Sequence, residues 1–142
     1  MMGAVNSVLQ LSTGLLVWTI TGWRGHATAN LTRPAHWRVD AAKRKADGAA
    51  WRTLLAVAAA GRPRWLPLSR YTLVVSEFGR PVRDPDAVIQ SIKRGWDALV
   101  RAGWLAGDSP AYCRGLAWRP MVIPVDVAAT EGVQITVEAV SA

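Results

Sequence analysis

Cysteine is almost missing from this sequence: Cys113 is the only one, and His26 and His36 are the only histidines. A single thiol excludes an internal disulfide framework, and so few soft ligands argue against a zinc site. Long apolar runs are missing too. No stretch reaches the roughly 18–20 residues that a membrane span needs. The opening "MMGAVNSVLQLSTGLLVWTITGW" is interrupted by Asn6, Gln10, Ser12 and Thr13. Its first basic residue is Arg24, so it lacks the positive start of a signal peptide. Residues 1–13 are expected to be a weakly ordered extension and 14–142 a single domain. The expected protein is soluble and cytoplasmic, with no membrane partner and no small-molecule cofactor. Internal repeats and low-complexity tracts are absent.

Half of the 142 residues are apolar (51%), enough for one ordinary core rather than a disordered chain. The charge is basic, +7, and uneven. Residues 24–70 hold ten Lys and Arg against Asp40 and Asp47, whereas the rest of the chain is slightly acidic. A block of this kind suits a polyanion such as nucleic acid, or is a solvated basic helix face. Eight tryptophans stand out. Trp18, Trp51 and Trp96 lie in apolar patterns that mark core. Trp23, Trp37, Trp65, Trp104 and Trp118 lie near arginines or loops, where stacking on unpaired bases competes with packing as their role.

"LLVWTITGW" (15–23) reads as a first strand. A helix is expected from about Pro34 to the "GRP" at 61–63, with Trp37, Ala41, Trp51, Leu54, Leu55 and Ala58 inward and Gly48 a weak point. "YTLVVSEF" (71–78) is a second strand. Residues 86–103 form the clearest helix: Val88, Ile92, Trp96 and Leu99 make an apolar stripe, Asp86 occupies the cap position, and Gly103 follows the end. "LAWRPMVIPVDV" and "GVQITVEAV" read as two final strands, the last with strict alternation. The order β-α-β-α-β-β gives a small α/β (α+β) domain with one mixed sheet and two main helices.

The candidate chemistry sits in "RDPDAV". In extended chain Asp84 and Asp86 point to one side, and Pro85 stiffens the junction. Two converging carboxylates call for a cation between them, and Mg²⁺ suits oxygen ligands. The plain alternative is a turn and helix cap. Asp108 is a third candidate, or an Asx-type turn residue. Lys93, seven residues after Asp86, lies on the same helix side, where it can approach a phosphate or simply face solvent.

The stretch "RDPDAVIQSIKRGWDALVRAGWLAGDS" resembles the core of the RusA family of Holliday-junction resolvases: two acids flanking one residue, a helix ending in "DALVRAG", then an acidic turn. "HWRVDAAKRK" is similar to that family's basic first helix, and "LAWRPM…GVQITVEAV" to its closing hairpin. The resemblance covers about residues 15–140 and is most specific over 83–108. It implies a homodimeric, Mg²⁺-dependent endonuclease (Mn²⁺ a possible substitute) that nicks four-way DNA junctions symmetrically in recombination and repair. Asp84, Asp86 and Asp108 would hold the metal, and Lys93 would assist at the phosphate. Arg38, Lys43, Arg44, Lys45 and Arg83 are the candidate DNA contacts. Ala87 stands where the family usually has Asn, Gly107 where it has a further acid, and either Gln90 or Lys93 fills its lysine position. Two other functions fit the residues: a non-catalytic branched-DNA-binding protein of the same fold, and a basic protein that binds an acidic partner.

Overall fold

The computed structural model describes residues 6–25, 37–58, 63–79, 83–119 and 131–140. Its elements are β1 (Asn6–Ser12), β2 (Leu15–Thr21), α1 (Trp37–Ala58), β3 (Tyr71–Phe78), α2 (Pro85–Ser91), α3 (Lys93–Arg101), β4 (Cys113–Trp118) and β5 (Gly132–Ala139). The strands form one mixed sheet in the order β1-β2-β5-β3-β4. Only β3 and β4 run parallel; the other neighbours are antiparallel. This is the expected small α+β domain.

β5 lies centrally, and its alternation sets the core. Val137 sits between Leu16 and Leu73, and Ile135 between Trp18 and Val75. All six side chains are buried. Burying each side chain of this size stabilises by about 1.5–3 kcal/mol. The helices add Trp51, Leu55, Val88, Ile92, Trp96 and Leu99 to the same cluster. Trp18 packs edge-on against Trp104 and tilted against Trp51, ring centroids 6.0 Å apart in both pairs. Trp23 meets Trp51 at 5.8 Å.

Four expectations change. Residues 6–12, placed in a weakly ordered extension, form β1, in register with β2 from Asn6↔Thr21 to Ser12↔Leu15. The polar residues that spoiled a membrane or signal reading are what an exposed edge strand tolerates. The final strands are not a hairpin, because β3 lies between β4 and β5. β4 begins at Cys113, and residues 120–127 of the longer strand expected there lie outside the described residues. α1 runs unbroken through Gly48, and Ala41 is exposed rather than inward. The start expected near Pro34 and the stop at 61–63 fall largely outside the described residues.

The fourth change concerns the helix over 86–103, which is two helices meeting at Ile92. Ser91 explains the break. Its hydroxyl donates to the Val88 carbonyl at 2.7 Å, the acceptor a continuous helix would offer to Ile92. The Ile92 N–H turns instead to the Ile89 carbonyl at 3.3 Å. Back-bonding serines bend helices in this way. α3 then crosses α1 at Gly95, where an added Cβ would lie 2.1 Å from Trp51 Cε2. Only glycine permits that approach.

Candidate functional site

Asp84 is the N-cap of α2, Pro85 its first residue, and Asp86 lies in its first turn. The cap therefore sits two residues earlier than expected. Proline accounts for this: it favours extended backbone in the residue before it and suits the first helical position. Asp84 is extended (φ −65°, ψ 153°), and its backbone carbonyl, not its side chain, receives the first helical N–H, from Val88 at 3.0 Å. Both carboxylates are exposed. Among the described residues neither makes a hydrogen bond or ion pair.

Beneath this free pair the chain is firmly held. Arg83 Nε donates to Glu77 Oε1 at 2.9 Å, and its Nη2 donates to Glu77 Oε2. The same guanidinium reaches Ser91 Oγ at 3.0 Å, the Arg24 carbonyl at 3.1 Å and the Gly25 carbonyl at 3.3 Å. Arg24 also pairs with Glu77 at 3.4 Å and with Glu131 at 3.3 Å. Glu77 is 6% exposed, so these charges are mutually compensated in the interior. Arg83, expected to contact DNA, spends its planar donor fork on the protein. It joins β3, the segment after β2 and the kink at Ser91.

Lys93 lies at the start of α3, and its ammonium bonds Asp108 at 2.6 Å and Asp97 at 3.1 Å. It also stands 4.7 Å over the Trp96 ring. The Lys93 hydrogen bond holds the Asp108 carboxyl below its ordinary pKa. Partial burial draws the Lys93 pKa down, but bonds to the two carboxylates outweigh it and the net shift is upward. The loop bearing Asp108 is fixed from below. Tyr71 Oη donates to the Gly107 carbonyl at 2.6 Å and accepts from Trp96 Nε1 at 2.8 Å. Burial is the main cause that pushes the Tyr71 hydroxyl up to about 12. At Gly107 an added Cβ would lie 2.5 Å from the ring of Tyr112, which is itself exposed, so a side chain here needs that ring to move.

Among the described residues no three His, Cys, Asp or Glu side chains stand together to hold a metal. Asp84, Asp86 and Asp108 are thus not gathered into one cluster. Lys93 joins Asp108 and Asp97, and has no bond to the pair at α2. Gln90, the other residue at the lysine position, has its Oε1 buried without a partner, whereas Lys93 is half exposed.

A groove of about 770 Å³ runs between α1 and α3. Lys45 and Arg52 line one wall, Arg94 and Arg101 the other, over a floor that includes Leu55 and Trp104. Of the expected DNA contacts only Lys45 is placed there. The side chains of Arg38, Lys43 and Arg44 lie outside the described residues. Arg94 and Arg101 are not among the expected contacts, although their seven-residue spacing, matching that of Lys45 and Arg52, is visible in the sequence. No described tryptophan offers a freely exposed ring. Trp23 and Trp104 are buried, and Trp65 and Trp118 pack against the core.

No family model and no curated protein matches the chain. It is similar to a solved structure, the cell wall anchor of the T6SS from Pseudomonas aeruginosa, with a TM-score of 0.40 and 19% identity over 94% of this chain and 87% of that one. A likeness this slight leaves the fold to be read from the chain's own topology. Among the described residues no helix is long and apolar enough to cross a membrane.

Proposed function

We propose that the protein is a Mg²⁺-dependent endonuclease that acts on branched DNA, four-way junctions in particular, as its resemblance to the RusA family implies. The observation that carries this reading is the exposed, unpartnered pair Asp84 and Asp86 on a junction clamped by the buried Arg83–Glu77 ion pair. A cap needs one carboxylate at most, and here the cap side chain makes no bond at all. Mg²⁺ fits the donors: both offer hard oxygens, and two carboxylates leave room for the waters this ion retains. Bound there, the ion would supply an activated water and neutralise charge on the scissile phosphate. The rigid clamp would fix both carboxylates relative to the helix. Lys93, released from Asp108 or bridged to it, would meet the phosphate. A homodimer would present two such sites to the two strands of a junction during recombination and repair.

A second reading has its own support. Asp108 is tied to Lys93 and stands apart from the other two acids, which favours a branched-DNA-binding protein that does not cut. Incubating the protein with a synthetic four-way junction, with and without Mg²⁺, separates the two. The endonuclease cuts only with the metal. Asp84→Asn or Asp86→Asn lowers the rate by about 100-fold or more, as expected when a group stabilising developing charge is lost, and leaves junction binding intact. Undiminished cleavage by the double variant would sink the carboxylate–metal mechanism, and binding without cleavage in Mg²⁺ or Mn²⁺ would establish the second reading.

A further inference from the structure

We propose that the groove between α1 and α3 is the track for the phosphodiester backbone of a DNA strand, gripped from both walls by Lys45, Arg52, Arg94 and Arg101. The assignment rests on the DNA reading above and adds a location and a contact set to it. Three of the four cations lie outside the contacts expected from the sequence.

The charge is unbalanced in the way a polyanion requires. None of the four cations has an ion pair among the described residues. The one acid on the groove wall, Asp97, is already bridged by Lys93. Lys93, shared between Asp97 and Asp108, offsets part of that negative charge, and four cations against one acid leave the field of the groove positive. The spacing is regular as well. The two cations on each helix are seven residues apart, about 10 Å along the axis at 1.5 Å per residue. Apolar Leu55 and Trp104 floor the groove and offer nothing that would read base edges, so recognition follows the backbone and not the sequence. An acidic polypeptide is the other polyanion the charge would suit, and poly-glutamate stands for it in the test.

The experiment measures binding of a fluorescent four-way junction without divalent metal, over a series of salt concentrations. The slope of log K against log[salt] falls by about 0.9 for each phosphate contact removed. Arg94→Gln/Arg101→Gln is expected to flatten the slope by about 1.8, and Arg94→Lys/Arg101→Lys to restore most of it. Arg114→Gln, on exposed β4 away from the groove, keeps the parent slope. As a check that needs no variant, bound junction is expected to shield Lys45 from acetylation by several-fold, read by mass spectrometry. If the parent binds the junction but the double Gln variant keeps its slope and Lys45 stays reactive, the groove is not the track, and the DNA reading survives. If the parent binds poly-glutamate and not DNA, both fall.

Discussion

Two sets of ion pairs flank the α2–α3 unit, and they are built for opposite purposes. On one side, Arg83 and Arg24 enclose Glu77, which is 6% exposed, and the Arg83 guanidinium also satisfies two backbone carbonyls and a serine. On the other, Lys93 reaches Asp108 and Asp97 from a side chain 47% exposed, on flexible methylenes. A buried pair is costly to assemble and more costly to break, since the survivor is left charged in the interior. An exposed pair is worth about 0–1 kcal/mol and exchanges readily with water. The first arrangement fixes the backbone that carries Asp84 and Asp86. The second keeps a lysine beside a loop acid in an exposed pair that can exchange partners.

The largest effect should come from breaking the buried set. Glu77→Ala leaves two guanidinium groups facing an empty site. It is expected to lower the unfolding free energy by about 3–5 kcal/mol, measured by chemical denaturation. A loss below about 1 kcal/mol would mean the guanidiniums find water and the clamp is no firmer than a surface pair. Glu77→Gln keeps the shape and one acceptor, so it should lose less.

Next comes Ser91, which belongs to both the clamp and the kink. Ser91→Ala removes the hydroxyl that occupies the Val88 carbonyl and the acceptor that meets Arg83 Nη2. The expected loss is about 1 kcal/mol, the net worth of an ordinary hydrogen bond, moderated because a straighter helix regains Ile92 N–H to Val88. Stronger protection of the Ile92 amide in hydrogen exchange would show that Ser91 causes the break. An unchanged amide would place the cause elsewhere.

These devices show what was legible in the sequence. The stripe of Val88, Ile92, Trp96 and Leu99 announced a buried helix face, and the alternation of Val133, Ile135 and Val137 a half-buried strand; both hold. Period alone cannot show that Ser91 turns inward to break the helix, because the apolar stripe continues through the kink. Nor can it show strand order: β5 pairs with β2 and β3, more than fifty residues distant, and not with the β4 that precedes it. Arg83 looked like a surface contact for a polyanion because its partner, Glu77, lies six residues back across a turn. Gly107 reads in the sequence as a lost acid; in the fold an added Cβ there meets the exposed Tyr112 ring, a contact that spacing does not reveal. The extended backbone of Asp84 follows from Pro85, but α2 begins at Pro85 itself, so Asp84 and Asp86 do not lie on one continuous extended segment. Their separation from Asp108 depends on where a loop folds back, which local chemistry does not determine.

The smallest effect is the sharpest test of the contrast. A double-mutant cycle on Lys93→Met and Asp108→Asn should give a coupling energy no greater than about 1 kcal/mol at neutral pH and low salt. Its pH dependence has a definite sign at both ends. The folded-state pKa of Asp108 is depressed by the Lys93 bond, so its share of the stability is fully present above the ordinary aspartate value, about 3.9, and fades as pH falls through the lower folded value. The folded-state pKa of Lys93 is raised, so its share is present below the ordinary lysine value, about 10.4, and fades as pH climbs through the higher folded value. The coupling should therefore be flat between roughly pH 5 and pH 9 and weaken beyond both ends. Molar salt should remove most of it, because the Debye length then shrinks to about 3 Å. The same salt should change the cost of Glu77→Ala far less, since Glu77 is 6% exposed and buried pairs are screened much less than exposed ones. Equal salt sensitivity in the two measurements would erase the distinction between a buried clamp and an exposed pair that exchanges with solvent.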